Sequence, residues 1–198
     1  MSKYIIFLVG LDGSGKSTLT RELSKNFGFK EIYGGWKRYY LPTSWLISKI
    51  GTYNKSGGKI RKKLNEERAK NKVSFIQECI YLNYVFEHLT RYYISYFFNS
   101  KIIFDRSFFD IYFQNSVAYQ SKVLSYFFKK FPKPTHFIYL NPGKNILLSR
   151  KPDENTSKKI DFQLKNIEKL KHKINLIEID STRKVDDIIK EILINFPN

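Results

Sequence analysis

The stretch GLDGSGKST at residues 10–18 constrains this chain more than any other part of it. It follows the apolar run Tyr4 to Val9 and opens a stretch of helical pattern, and it satisfies Gly-x-x-x-x-Gly-Lys-[Ser/Thr] with Gly10, Gly15, Lys16 and Ser17 in register. Glycines suit such a turn because a loop that points successive amides at an anion needs dihedrals that a Cβ penalises. A helix beginning at Lys16 would aim the positive end of its dipole at the same spot.

Read chemically, Lys16 supplies a point charge for outer phosphates and Ser17 a hydroxyl for Mg²⁺. Gly10, Gly13, Ser14, Gly15 and Thr18 complete a cradle for ATP. The alternative is a glycine turn that merely links strand to helix. The register, after a strand and before a helix, favours the nucleotide. These residues do not exclude GTP as the donor.

Three further apolar runs, Ile102 to Phe104, His136 to Leu140 and Asn175 to Ile179, are separated by helix-patterned stretches, and the less regular Phe29 to Tyr33 adds a fifth strand. The expected helices are Lys16 to Asn26, Lys72 to about Phe98, Lys144 to Arg150, Lys159 to Lys171 and Lys184 to Asn195. Continuous apolar runs alternating with helices predict buried parallel strands. The fold class expected is α/β: a three-layer, doubly wound parallel sheet of about five strands, of P-loop NTPase type, with its ligand at the carboxyl ends of the strands. One domain over residues 1–198 is the expected organisation. On the long helix, Leu82, Val85, Phe86, Leu89, Tyr93 and Tyr96 form an apolar stripe expected to be core. The stretch from Gly51 to Lys63, within an insertion reaching about Lys72, reads as a mobile loop.

The 35 basic residues outnumber 18 acidic ones, for a net charge of +17. They are scattered, with clusters at Lys59 to Lys63 and Lys129 to Lys133, so a solvated lysine-rich surface accounts for most of the excess and nucleic acid is not excluded. Cys79 is the single cysteine, expected as a buried thiol in a reduced, cytoplasmic setting. No run is long enough to span a membrane, and a homodimer is left open. His88, His136 and His172 have no metal-ligand spacing. The helical face of Tyr81, Tyr84, His88 and Arg91 reads equally as the lining of an acceptor pocket or as a polar face against the insertion.

The run KIIFDRS ends a strand with Asp105 and Arg106. A carboxylate there can hold the metal shell opposite Ser17, or cap a helix beginning near Ser107. Arg106 can hold an acceptor phosphate or form a surface ion pair. The polar segment KPDENTSKK after Arg150 suggests a lid, about residues 150–160, that would bring cations to the transferring phosphoryl group.

With these residues in place the chain resembles the thymidylate kinase family of nucleoside monophosphate kinases. The resemblance rests on GLDGSGKST, the Asp105-Arg106 pair, and FIYLNPGKNILLSRK leading into the basic lid. It implies that Asp12 contacts the acceptor near a sugar hydroxyl, that Arg106 approaches the acceptor phosphate, and that Arg150 is the lid arginine. Departures fall on the acceptor side. The family's Arg-Glu-Pro-Gly turn is replaced by YGGWKRYYLP, where only Lys37 or Arg38 could hold the phosphate, and Tyr84 stands near the base-reading arginine's place. The triplet AYQ at residues 118–120 lies further from the Asp105-Arg106 pair than in the family. The expected activity is ATP- and Mg-dependent phosphoryl transfer to a nucleoside monophosphate, dTMP first, with Lys16, Asp105 and Arg150 catalytic. A kinase of a nucleoside or sugar derivative, and a nucleotide-dependent nucleic-acid-binding protein, are the alternatives.

Overall fold

The five apolar runs assemble into one parallel sheet, and all the helices predicted from pattern form. The computed structural model describes residues 3–35, 40–52, 72–150, 152 and 156–194. In chain order its elements are β1 (Tyr4–Val9), α1 (Lys16–Phe27), β2 (Lys30–Tyr33), α2 (Pro42–Thr52), α3 (Phe75–Phe98), β3 (Lys101–Asp105), α4 (Ile111–Gln114), α5 (Lys122–Lys130), β4 (His136–Asn141), α6 (Lys144–Arg150), α7 (Ser157–Lys171), β5 (Leu176–Asp180) and α8 (Val185–Ile194). Single 3₁₀ turns occupy Phe108–Asp110 and Ala118–Gln120.

The strand order is β2-β3-β1-β4-β5, every neighbour pair parallel, with Phe7 of β1 in register with Phe104 and Phe137. Because side chains alternate across a strand, β1 feeds two cores at once. Ile5, Phe7 and Val9 pack under α3, α4, α5 and α7, while Ile6 and Leu8 pack under α1 and α8. The first core is strongly aromatic. Phe7 meets Phe104 edge-on at 4.9 Å and Phe137 at 5.6 Å, and Phe108 stacks on Phe131 at 4.4 Å.

Three helices were not legible in the sequence. In α2, which starts at Pro42, the amides of Tyr40 and Leu41 donate to Glu87 of α3 at 2.7 and 2.9 Å, so its cap comes from a distant residue. Helix α5 is capped by Ser121, whose hydroxyl bonds Glu78, again on α3. The four-residue α4 follows the 3₁₀ turn directly. The proposed insertion, apart from residues 51, 52 and 72, lies outside the described residues.

Helix α3 corrects two expectations. Its buried face carries Gln77, Tyr81, Tyr84, His88, Arg91 and Ser95, whereas Leu82, Phe86 and Tyr93 of the expected core stripe are exposed; Val85 is buried, and Leu89 and Tyr96 are partly so. Cys79 lies on the exposed side too and is not a buried thiol. The helix is apolar over so much of its circumference that periodicity alone did not identify the inner face. The polar side chains turn inward because β2, α2 and the loop after β3 offer them partners.

Candidate active site

The loop between β1 and α1 turns at Gly13 and Gly15, both with φ near 90°, a left-handed conformation that a side chain would strain. Gly15 is the N-cap of α1, and neither a capping side chain nor a first-turn acid meets the helix start. Free amides and the dipole therefore face the cavity. Lys16 is buried, its Nζ donating to the carbonyls of Gly10 and Leu11 at 2.7 and 2.8 Å. Burial pushes its pKa below the ordinary lysine value, against the pull of Asp110 and Asp105.

From the end of β3, buried Asp105 accepts a 2.9 Å hydrogen bond from the Ser17 hydroxyl. Helix capping falls instead to Ser107, which pairs reciprocally with Asp110 in a capping box. The two readings of Asp105 are thus separated: it serves the loop serine. Among the described residues no group of three or more His, Cys, Asp or Glu could hold a metal. The oxygens of Ser17 and Asp105 instead make a partial shell, suited to a Mg²⁺ that keeps waters and takes phosphate oxygens.

Arg106 has φ 71°, the one positive value outside glycine among the described residues. Such a conformation costs about 1–3 kcal/mol and persists where its surroundings impose it. Here β2 imposes it: the Gly34 amide donates to the Asp105 carbonyl at 2.9 Å, and a Cβ on Gly34 would collide with the Arg106 carbonyl. The Arg106 guanidinium pairs with Asp12. Burial acts against charge on both. Arg106 nonetheless holds the Asp12 carboxyl below its usual range, while Asp110 and Asp12 raise the guanidinium's pKa.

Two cavities adjoin at Tyr33 and Arg106, which line both. The larger, about 640 Å³, contains Asp12, Gly13, Ser14, Gly15, Lys16, Ser17 and Thr18, with Asp105 and Arg150. Arg150, at the end of α6, donates to the Gly13 carbonyl of the loop at 3.0 Å. The smaller cavity, about 240 Å³, is lined by Gly34, Gly35, Tyr84, Asp110 and Gln114. Tyr84 anchors its hydroxyl on the Ser107 carbonyl at 3.3 Å and packs on neutral, buried His88, whose pKa burial lowers to about 3.

The structure thus gathers the sequence-read residues around two joined cavities, with Asp12 on the larger one. Lys37 and Arg38 lie outside the described residues, as do residues 151 and 153–155 of the lid. Sequence reasoning missed Tyr33, Asp110 and the Ser181-Thr182-Arg183 turn after β5, which closes the far side of the large cavity. Asp110 had a signal: Ser-x-x-Asp at 107–110 is a capping-box spacing.

No protein-family model matches the chain, and no curated protein matches it in sequence. Solved structures do match. Deoxyadenosine kinase from M. mycoides with bound dATP aligns with a TM-score of 0.58 at 17% identity, over 96% of this chain and 98% of that one. Deoxyadenosine kinase from M. mycoides with the products dCMP and a flexible dCDP aligns at 0.60 and 17%, over 96% and 97%. With bound dCTP the values are 0.56 and 18%, over 96% and 97%. The chain shares the five-stranded α/β fold of these kinases over nearly its whole length.

Proposed function

We propose that this chain transfers the γ-phosphoryl group of ATP, with Mg²⁺, to a small acceptor of the nucleoside class, either a nucleoside or a nucleoside monophosphate. The observation that carries the reading is the Ser17–Asp105 hydrogen bond beside buried Lys16, in a cavity that shares Tyr33 and Arg106 with a second one. Free amides at the start of α1 and Lys16 hold the donor phosphates, and Arg150 meets charge on the phosphoryl group in flight. Ser17 and Asp105 would hold Mg²⁺, which would supply positive charge to offset that of the phosphates. Arg106 and Tyr84 orient the acceptor. The structural neighbours support the nucleoside class, and the family resemblance puts dTMP first among monophosphates. A kinase of another small hydroxyl compound is the second reading, because the 240 Å³ cavity is small.

Coupled ADP release across nucleosides and nucleoside monophosphates, dTMP included, tests this. One acceptor should turn over, and Lys16→Ala should lower that rate by at least ~10²-fold with folding retained. A variant as fast as the parent sinks the assignment.

We also propose a homodimer through the outer face of α3, where Phe75, Cys79, Leu82, Phe86 and Tyr93 form a stripe, with Phe97 beside it. With 83% and 73% exposure at Phe75 and Phe97, and about half at Phe86 and Tyr93, the aromatics offer several hundred Å². That approaches the ~800 Å² per partner of a stable interface. Sedimentation at rising concentration should show the dimer.

A further inference from the structure

Asp110 is 3% exposed, yet only one of its two carboxyl oxygens is satisfied. Oδ1 accepts from the Ser107 amide at 3.1 Å and the Ser107 hydroxyl at 3.2 Å; Oδ2 has no hydrogen-bond partner among the described residues. Leaving a buried acceptor unmatched is expensive, and native structures tolerate it where a ligand or another group completes the bond. Asp110 lines the smaller cavity beside Tyr84 and Gln114. Arg106, which also lines that cavity, makes its ion pair with Asp12 and acts on Asp110 only as a nearby charge.

We propose that Asp110 selects the acceptor: its free oxygen takes a hydrogen bond from a hydroxyl or amino group of an uncharged nucleoside and repels an acceptor that carries a phosphate there. This rests on the phosphotransferase reading above and names its substrate class. An acceptor-only carboxylate matches an O–H or N–H donor, and a phosphate dianion offers none. A second anion beside buried Asp110 meets like-charge repulsion, whereas a neutral ring with a hydroxyl meets none. Because a site built to bond a polar group rejects analogues that lack it, the preference should be steep.

The carboxyl also has a titration that a purely structural cap would not transmit to a ligand. Burial raises its pKa to about 6, against Arg106 and Lys16 and the Ser107 amide, with Asp105 adding to the rise. Tyr84, held above its usual range first by burial and then by Asp110, remains protonated in this window, and His88 remains neutral.

Equilibrium binding to the full chain decides the matter without requiring turnover. The probes are deoxyadenosine, thymidine and their 5′-monophosphates, titrated by calorimetry against the parent and Asp110→Asn, with ATP as a control. Asparagine keeps an oxygen for Ser107 and turns the free position from acceptor to donor. At least one nucleoside should bind more than ~10-fold tighter than its monophosphate. Asp110→Asn should shrink that ratio by a similar factor while leaving ATP affinity within about twofold. In the parent chain, nucleoside binding should strengthen as pH rises through about 6, which keeps the idea testable if the variant does not fold. Ser107→Ala, which loosens Oδ1 and spares Oδ2, should lower the melting temperature without moving the ratio. Monophosphates binding as tightly as nucleosides, an unchanged ratio in Asp110→Asn, or no nucleoside binding would overturn the proposal, the first returning acceptor-phosphate binding to Lys37 or Arg38. Selective nucleoside binding with no ADP release would instead uphold it and overturn the kinase reading.

Discussion

The two faces of helix α3 invert the ordinary rule for a helix on a sheet. Inward it presents Gln77, Glu87, His88 and Arg91; outward it presents Phe75, Leu82, Phe86 and Phe97. The inward face matches its charged groups, although Oε1 of Gln77 finds no hydrogen-bond partner among the described residues. Arg91 donates to Glu87 at 2.9 Å and to the carbonyls of Tyr33 and Gly35 at 2.8 and 3.2 Å, and Glu87 also takes the amides that begin α2. The outward face has nothing to satisfy and keeps its apolar area in water. Polarity here fixes the backbone around the smaller cavity, while the apolar residues of the outer face stay exposed.

The contrast breaks first at Glu87. Glu87→Ala strands a 1%-exposed Arg91 side chain and uncaps α2, and it should cost ~3–5 kcal/mol in denaturant titrations. A loss under ~1 kcal/mol would show that the inner polar face is incidental.

The two buried acids sharpen it. Burial works against charge on Glu87, but the Tyr40 amide, Ser44, Arg91 and the Leu41 amide outweigh it and hold its pKa below 4.5, so its stabilisation is present above that value and lost as pH falls through the folded pKa. Asp110 has the opposite sign. Its pKa rises from 3.8 to about 6, so its contribution is complete below 3.8 and is lost as pH climbs through about 6. Denaturation between about pH 4 and about pH 7 should show the parent losing ~2 kcal/mol more than Asp110→Asn. Parallel curves would mean that Asp110 does not titrate as its surroundings dictate.

The smallest expected effect on the isolated fold is on the outward face. Phe97→Ser should change monomer stability by less than ~0.5 kcal/mol while weakening self-association at least ~10-fold, with Cys79 reacting faster with a thiol reagent. Unchanged sedimentation would remove the dimer.

What the sequence disclosed divides along the same line. Strands β1, β3 and β4, the Gly10 to Thr18 loop, Asp105 and Arg150 were legible because their signals are local: an apolar run, a glycine spacing, a strand end. The faces of α3 were not, since Tyr84 and Arg91 find their inward partners in Ser107, Tyr33 and Gly35, which lie elsewhere in the chain. Helices α2 and α5 escaped for the same reason, their first turns being tied to Glu87 and Glu78. Asp110 was read over because capping accounts for one oxygen and sequence does not reveal the other.

The tight crossing of Gly34 over the Arg106 carbonyl acts as a fixed gauge. The two cavities share Tyr33, which ends β2, and Arg106, which follows the adjacent parallel strand β3, so their separation is set largely by the spacing of the sheet. Substitutions at Tyr84 or Gln114 can alter what the smaller cavity admits. They cannot alter how far it stands from the glycine loop, and a redesign for a longer acceptor would have to move β2 itself.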